Sequence, residues 1–578
     1  MLLVTTPIEE TWGKDEKVLF LGEWCLLYHR KEIWDKRRYL VLPYHWDDRK
    51  KLESDFLYLQ VLNEQVIKSL TIRLNSIHSV NHSSQYWGTM LGNWVSNFTA
   101  VIYDRWYMIE QAVSYGQPLK TYVIEYDQVI LSCTNTSDFI NSASSDDSWN
   151  HALFSKLIEL NGTILRRPIN VELKATDSSG FNFAFFIKYK LIQLINLVMS
   201  PITVRNKVFI VRSYFPLIEE LKLNFKFGQL PIIPLKLKLK SKHFQYVDRK
   251  WKLNLENNNG FEKVLSSLVP LCLPKVFLEQ YNALVCDVSS LRFPRKPKFI
   301  ITALEHFHNE HFLEYMSRSR EKGTKFLTID HGGLRSNKFN GSVNFQNTVS
   351  DVSLTWGWNN GDESKMLPYG IVKTYNKRLI WNNRGPAILI QVAMPRYSFD
   401  IRAMPIGNQM ISYFKDQHAF YAGLSESIRL SFKIRLYQQD YLWSQKKRWQ
   451  DIFPNIRFSN RKFGLYKEFS GCRLIVCSYN ATTYLESLSM NLPTIVFWDL
   501  NLWELPEKAV ESFKELESVG IFHTSPTSAS QKVMEVWDNV GLWWNRKDTQ
   551  QVRNDFCMKY AKEITDPFTD LKNILDGL

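Results

Sequence analysis

From residue 298 to residue 498, short runs of β-branched and apolar residues alternate with helical stretches, and this alternation restricts the fold more than any other feature of the chain. Strand, helix and strand in repetition is the pattern of a parallel sheet with crossover helices on its faces. The pattern predicts strands over 298–303, 325–329 and 351–356, with a helix over 311–320 that Gly323 stops. After the turn at Pro368-Tyr-Gly370 the same logic predicts strands over 387–392, 432–437, 473–477 and 494–498. An α/β protein with two Rossmann-like domains is expected, joined near 370–386, with the carboxyl ends of both sets of strands turned toward a shared cleft.

The part before residue 290 reads differently. Two apolar runs, 18–21 and 39–42, suit buried strands, and two long helical patterns follow over 47–77 and 86–115. The second carries Trp87, Leu91, Trp94, Phe98, Ile102 and Trp106 at three- and four-residue spacing, a stripe whose ordinary meaning is core packing. At 578 residues the chain exceeds the size of one core, so the expected division is a helix-rich domain over 1–375 and a second domain over 376–578.

Net charge is +14, which favours anionic partners without choosing among nucleotide phosphates, lipid headgroups, acidic glycans and nucleic acid. The densest basic stretch runs from Lys222 through Lys236, Lys238, Lys240 and Lys242 to Arg249, Lys250 and Lys252, and reads either as an interfacial surface or as a solvated strand or loop. No recognisable nucleic-acid reading module accompanies the charge. The apolar run 191–202 is too short to span a bilayer and suits a buried helix. The first ten residues lack the basic and apolar regions of a secretion signal. Seven cysteines without a CxxC pair look like buried thiols of a reducing compartment, so a cytoplasmic location is expected.

Residues just past predicted strands are where a ligand would meet an open parallel sheet. One strand ends in Glu305-His306-Phe-His308 and another in Asp330-His331-Gly332-Gly333. The glycines permit close backbone approach or form an ordinary turn, and His331 suits acid/base work or a bond to phosphate. A later strand feeds a helix through Cys477-Ser478-Tyr479-Asn480-Ala481-Thr482-Thr483, where Ser478 or Asn480 is expected to cap and free N–H groups suit an anion. Glu486 lies one turn on, within reach of a ribose hydroxyl, and plain capping of a core helix is the alternative. Arg435 and Arg396 follow two strands of the same region and are candidates to pair with donor phosphate. The chain has no P-loop, HExxH, GxSxG or EF-hand pattern, and no pattern points to a metal or cofactor.

At these residues the chain resembles, nearly end to end, a family of transferases encoded in bacterial O-antigen and related surface-polysaccharide loci. The resemblance is carried by Thr5-Thr6, Glu10-Thr11-Trp12-Gly13, Leu19-Phe-Leu-Gly-Glu23-Trp24-Cys25, Tyr86-Trp87, Gly92-Asn-Trp94, Tyr103-Asp104-Arg105, Asp330-His331-Gly332-Gly333, Leu354-Thr-Trp-Gly-Trp358, Tyr479-Asn-Ala-Thr-Thr483, Gly520-Ile-Phe-His523 and Trp543-Trp544. The His-Gly word and the Thr-rich helix start are also similar to Kdo-adding capsule transferases and CDP-glycerol glycerophosphotransferases. The resemblance implies a GT-B cleft, an acceptor side over 1–375, a nucleotide-sugar side over 376–578, and last helices that pack back on the first domain. It departs from the family in having Asp330 where Gln is usual and Gln346 where an acid is expected.

The mechanism it implies holds donor phosphates with Gly332, Gly333, Arg396, Arg435, Ser478, Asn480, Thr482 and Thr483, with Glu486 on the ribose. His331 and Asp330 face the sugar, and Glu10, Glu23 and Asp104 are candidate bases or nucleophiles. Expected partners are a nucleotide-sugar donor, such as a CMP-linked ulosonic acid, and a glycan or lipid-linked glycan acceptor. Peripheral contact with the inner membrane is an expectation, nucleic acid is not, and no cofactor is expected. A CDP-polyol phosphotransferase and a non-catalytic scaffold remain alternatives.

Overall fold

A computed structural model describes residues 1–14, 16–171, 201–232, 246–255, 260–359, 365–460 and 464–578. The expected strands appear, and each is short. Most are buried on both faces, as parallel sheets between helical layers require. The run at 39–41, expected to be buried, is instead an edge strand with Leu40 exposed, and Lys433 is exposed in the strand at 432–435. They belong to three five-stranded sheets.

The N-terminal sheet holds β1 (Leu2–Val4), β2 (Val18–Phe20), β3 (Tyr39–Val41), β4 (Lys120–Ile124) and β5 (Leu165–Ile169), all parallel, in the order β3-β2-β1-β4-β5. The helix-rich N-terminal part therefore carries a sheet of its own, which adds a third lobe to the expected pair. Its switch in strand order falls between β1 and β4.

Two thirty-residue helices, α1 (Arg49–His78) and α2 (Ser84–Val113), connect β3 to β4. Asp48 caps the first by accepting from Lys50 and Lys51 N–H, and Ser83 caps the second through Tyr86 N–H. The aromatic stripe of α2 is core: Trp87, Trp94 and Phe98 are fully buried, and the last two stack 4.6 Å apart. Helix α3 (Asp147–Asn161) then leads to β5 and stops at left-handed Gly162.

The central sheet holds β6 (Val208–Val211), β7 (Phe299–Thr302), β8 (Lys325–Ile329), β9 (Val352–Thr355) and β10 (Met366–Pro368), in the unbroken order β10-β9-β8-β7-β6, with α4 (Gly341–Val349) before β9. The C-terminal sheet holds β11 (Ala387–Ile390), β12 (Phe432–Arg435), β13 (Leu474–Cys477), β14 (Thr494–Phe497) and β15 (Phe522–His523), in the order β12-β11-β13-β14-β15. A single parallel bridge from Ile434 to Phe458 extends it beyond β12. Its order reverses between β11 and β13, where doubly wound sheets open a crevice, and β13 runs into helix α5 (Thr482–Ser489).

The last helix, α6 (Pro567–Asp576), returns to the central sheet, where Leu571, Leu575 and Ile564 pack with Val208, Ile301, Leu327 and Val352. Six of the seven cysteines are buried and none is bridged. Among the described residues no helix is long and apolar enough to cross a membrane. Most of the 191–202 run and the lysines from 236 to 242 lie outside the described residues.

Candidate functional site between the central and C-terminal sheets

The carboxyl end of β8 meets the start of α5. Gly333 N–H donates to Thr482 Oγ1 at 3.2 Å, which joins the two lobes at one point. The glycines are there for approach: a Cβ on Gly332 would lie 2.6 Å from Thr482 Oγ1, and one on Gly333 would lie 2.6 Å from Ala481 O.

Asp330 shapes this loop. Its carboxylate accepts from Arg335 Nε at 2.7 Å and Gln346 Nε2 at 2.8 Å, while Trp356 Nε1 donates to its carbonyl at 2.9 Å. Asp330 and Gln346, the two positions expected to depart from the resembled family, thus bond one another directly. Asp330 acts on His331 through space alone, as a charge that partly offsets burial.

The His331 ring lies 5.4 Å from Phe307 and 6.1 Å from Tyr214, and its Nδ1 is buried without a partner among the described residues. Burial pushes its pKa below the ordinary value; Asp330 opposes this, and Lys373 and Arg335 reinforce it. The imidazole is therefore neutral near pH 7 and able to accept a proton.

Ser478 and Asn480 do not cap α5 as expected. Ala481 stands at the cap position and contributes no side-chain bond. Ser478 Oγ instead donates to Ile390 O at 3.0 Å, tying β13 to β11, and Asn480 Nδ2 donates to Ser336 O at 2.7 Å across the junction. Both are fully buried, and their groups are needed for those ties. Thr483 Oγ1 pairs with Tyr479 OH at 2.5 Å. With no capping side chain, the first N–H groups of α5 keep their positive potential.

Glu486, one turn into α5, is buried and pairs with Lys373 Nζ at 2.9 Å. Lys373 belongs to the segment that joins the two lobes. Four residues on, past left-handed Asn376 (φ 58°), Lys377 is half-buried with its ammonium 3.9 Å above the Tyr466 ring. It has no carboxylate within ion-pair distance among the described residues. Burial lowers its pKa, Glu486 opposes this and Lys373 adds to it. On the facing side, Arg212 and Tyr214 follow β6 in the left-handed region (φ 46° and 70°), and Arg212 Nε pairs with Glu305 at 2.8 Å. Non-glycine residues persist there only when their surroundings hold them, which happens most often at functional sites. His306 is buried with both ring nitrogens unpartnered among the described residues.

The other expected site residues lie elsewhere. Arg396 joins the N-terminal and C-terminal lobes, bonding Asp147 at 3.0 Å, Trp24 O at 2.7 Å and Tyr441 O at 3.1 Å. Arg435 pairs with Glu468 at 2.6 Å near the edge of the C-terminal sheet. Asp104 is buried between Arg105 and His45, with His45 Nε2 at 3.0 Å; burial lifts its carboxyl, and these two neighbours outweigh that and hold it below the usual range. Glu10 is exposed, and Glu23 is half-buried with its pKa raised by burial against the pull of Arg448 and Lys415. Arg212, Tyr214, Lys373, Lys377 and Tyr466 were not expected from sequence. The one available signal was the pair of lysines four residues apart directly after Pro368-Tyr-Gly370.

A family model described as LIC12162 family transferase matches residues 1–575. No curated protein matches the chain. Among solved structures, the chain is loosely similar to the glycosyltransferase SnogD of Streptomyces nogalater, at 10% identity and TM-score 0.34, over 64% of this chain and 99% of that one. For the S. aureus MnaA-UDP co-structure the values are 11%, 0.32, 79% and 95%. For the glycosyltransferase SsfS6 of Streptomyces sp. SF2575 they are 12%, 0.31, 64% and 99%. Overlaps this low carry no weight for activity, and the α/β architecture is defined by its own strand orders.

Proposed function

From the premise that this chain belongs to the LIC12162 family of transferases, we propose that it is a glycosyltransferase that moves a sugar from a nucleotide-activated donor to a bacterial surface-polysaccharide or O-antigen acceptor. The observation that carries this reading is the bond from Gly333 N–H to Thr482 Oγ1, which sets a neutral imidazole beside an uncapped helix start in the C-terminal lobe.

In the reaction, an acceptor hydroxyl attacks the anomeric carbon, its proton passes to His331, and the bond to the nucleotide phosphate breaks. The charge left on phosphate is met by the N–H groups at the start of α5 and by Lys373 and Lys377, rather than by a metal ion. Glu486 accepts from a ribose hydroxyl once Lys373 turns to the phosphate. A CMP-linked ulosonic acid is the donor we favour, since two lysines beside one carboxylate suit a donor that carries more than one negative group. The same reading places the protein in the cytoplasm, touching the inner membrane through exposed Leu217, Ile218 and Lys222.

The test is a panel of nucleotide sugars with nucleotide release as the readout. Turnover of at least one is expected, and His331→Ala should lower it by about 10²–10⁴-fold with nucleotide affinity unchanged. A wild-type protein that binds no nucleotide sugar, or a His331→Ala variant as active as wild type, contradicts the proposal. Turnover of CDP-glycerol alone replaces it with a phosphotransferase.

A further inference from the structure

A groove outside the site just described runs between α1 and α2 on one side and the central lobe on the other. Two cavities, of about 390 and 240 Å³, share Gln60 and Asn344 in their walls. The smaller begins at Leu334, the residue after the His-Gly-Gly loop. Together they lie within the size range of ligand sites.

Several charges on the walls are matched. Arg335 pairs with Asp330 at 2.7 Å, Arg320 with Asp351 at 3.2 Å, and Lys338 with Glu53 at 2.6 Å. Two amides are not. Asn337 Oδ1 and Asn340 Nδ2 are buried without a hydrogen-bond partner among the described residues, on side chains 3% and 4% exposed. Each such group is destabilising unless something pairs with it. One is an acceptor and the other a donor. Aromatic rings complete the walls: Phe339 stacks on Phe56 at 4.7 Å in the smaller cavity, and Phe345 lines the larger.

We propose that this groove holds the acceptor as a neutral, hydroxyl-rich glycan. The inference rests on the glycosyl-transfer reading and adds the class of acceptor and its place. A sugar hydroxyl both donates and accepts, so neighbouring hydroxyls satisfy Asn337 and Asn340 together. A phosphate or carboxylate has no proton for Asn337 Oδ1, and an acyl chain leaves both amides bare. Ring C–H faces of the sugar suit the aromatic walls. The groove also ends in the right place, because Asn337 Nδ2 donates to Asn480 O at 3.4 Å, at the junction where the donor is expected.

Saturation-transfer NMR on the full chain tests this with maltotriose, cellotriose, chitotriose and mannotriose, and with trigalacturonate as an acidic control. At least one neutral trisaccharide should bind, and trigalacturonate should not displace it. Asn340→Asp keeps the oxygen that caps α4 through Ser342 and Val343 N–H and removes the free donor. It should weaken glycan binding about tenfold, the worth of one hydrogen bond, while acceptor-independent nucleotide release stays as in wild type. Asn344→Leu, where the two cavities meet, should weaken binding as well and serves if the first variant fails to fold. Binding of no neutral trisaccharide, preference for trigalacturonate, or variants that bind like wild type would overturn the proposal. Glycan binding by a protein that turns over no nucleotide sugar would overturn the transfer reading and leave the groove.

Discussion

The C-terminal lobe meets its neighbours at two junctions built from the same residue types. Toward the N-terminal sheet, Arg396 and Tyr397 OH both bond Asp147, Arg105 donates to Ser398 O at 2.7 Å, and Trp24 packs on Tyr397. Its arginines are buried and paired with carboxylates, although Arg105 Nε and His45 Nδ1 have no hydrogen-bond partner among the described residues. Toward the central sheet, among the described residues, His331 Nδ1 lacks a hydrogen-bond partner, Lys377 has no carboxylate within ion-pair distance, and α5 begins without a side-chain cap. An arginine or histidine past a strand end therefore says little by itself. A junction whose arginines are paired with carboxylates holds lobes together, and one that leaves a lysine without a carboxylate beside an uncapped helix start suits an anionic ligand.

The largest test of this contrast is at the paired junction. Asp104→Ala leaves Arg105 buried without its carboxylate and should cost about 3–5 kcal/mol in urea denaturation, whereas His331→Ala should change stability by less than about 1 kcal/mol. Equal losses would erase the distinction.

The next test uses pH. Burial lowers the pKa of His151, which faces Thr5 and Thr6, from 6.5 to about 4. The unfolded chain thus takes up this proton first. Its contribution to stability is full above pH 6.5 and is lost as pH falls toward 4, on the order of 3 kcal/mol in all. Denaturation at pH 7.5 and 5.5 should show the loss in wild type and a flatter response in His151→Gln. The lowered His331 pKa acts instead on turnover, which should hold above pH 6.5 and decline on the acid side below it.

A smaller effect is expected from Gly333→Ala, whose new Cβ meets Ala481 O at 2.6 Å and must push the lobes apart at about 1–3 kcal/mol. Nucleotide affinity should fall with it, while the N-terminal junction keeps its protection from hydrogen exchange.

The smallest concerns the Asp330 and Gln346 pair. Gln346→Glu sets two carboxylates together, and Asp330→Gln strands Arg335. The double variant puts acid and amide back on opposite ends of one hydrogen bond and should recover most of the activity lost in either single change, with a coupling of about 1–2 kcal/mol in a double-mutant cycle.

Strands β7 to β9, β11, β13 and β14 are legible in sequence because burial on both faces leaves largely apolar runs. Strand β12 is legible from buried Phe432 and Ile434, although Lys433 between them is exposed. Strand β5, Leu165-Arg-Arg-Pro-Ile169, is an edge strand with mostly exposed side chains, so nothing marks it, and β1 is only three residues long. The His-Gly-Gly loop and the helix start were legible as strand ends. Which basic residues remain unpaired was not. Arg396 and Lys377 look equally available along the chain, and only the folded lobes place Asp147 against the first and an aromatic face beneath the second.

Hydrogen exchange with and without the nucleotide that binds best in the panel tests the central claim most directly. Slower exchange should appear over 331–335, 371–378 and 480–486, with 104–106 and 396–402 unchanged. Slowing confined to the N-terminal junction, or no change at saturating nucleotide, would contradict the account.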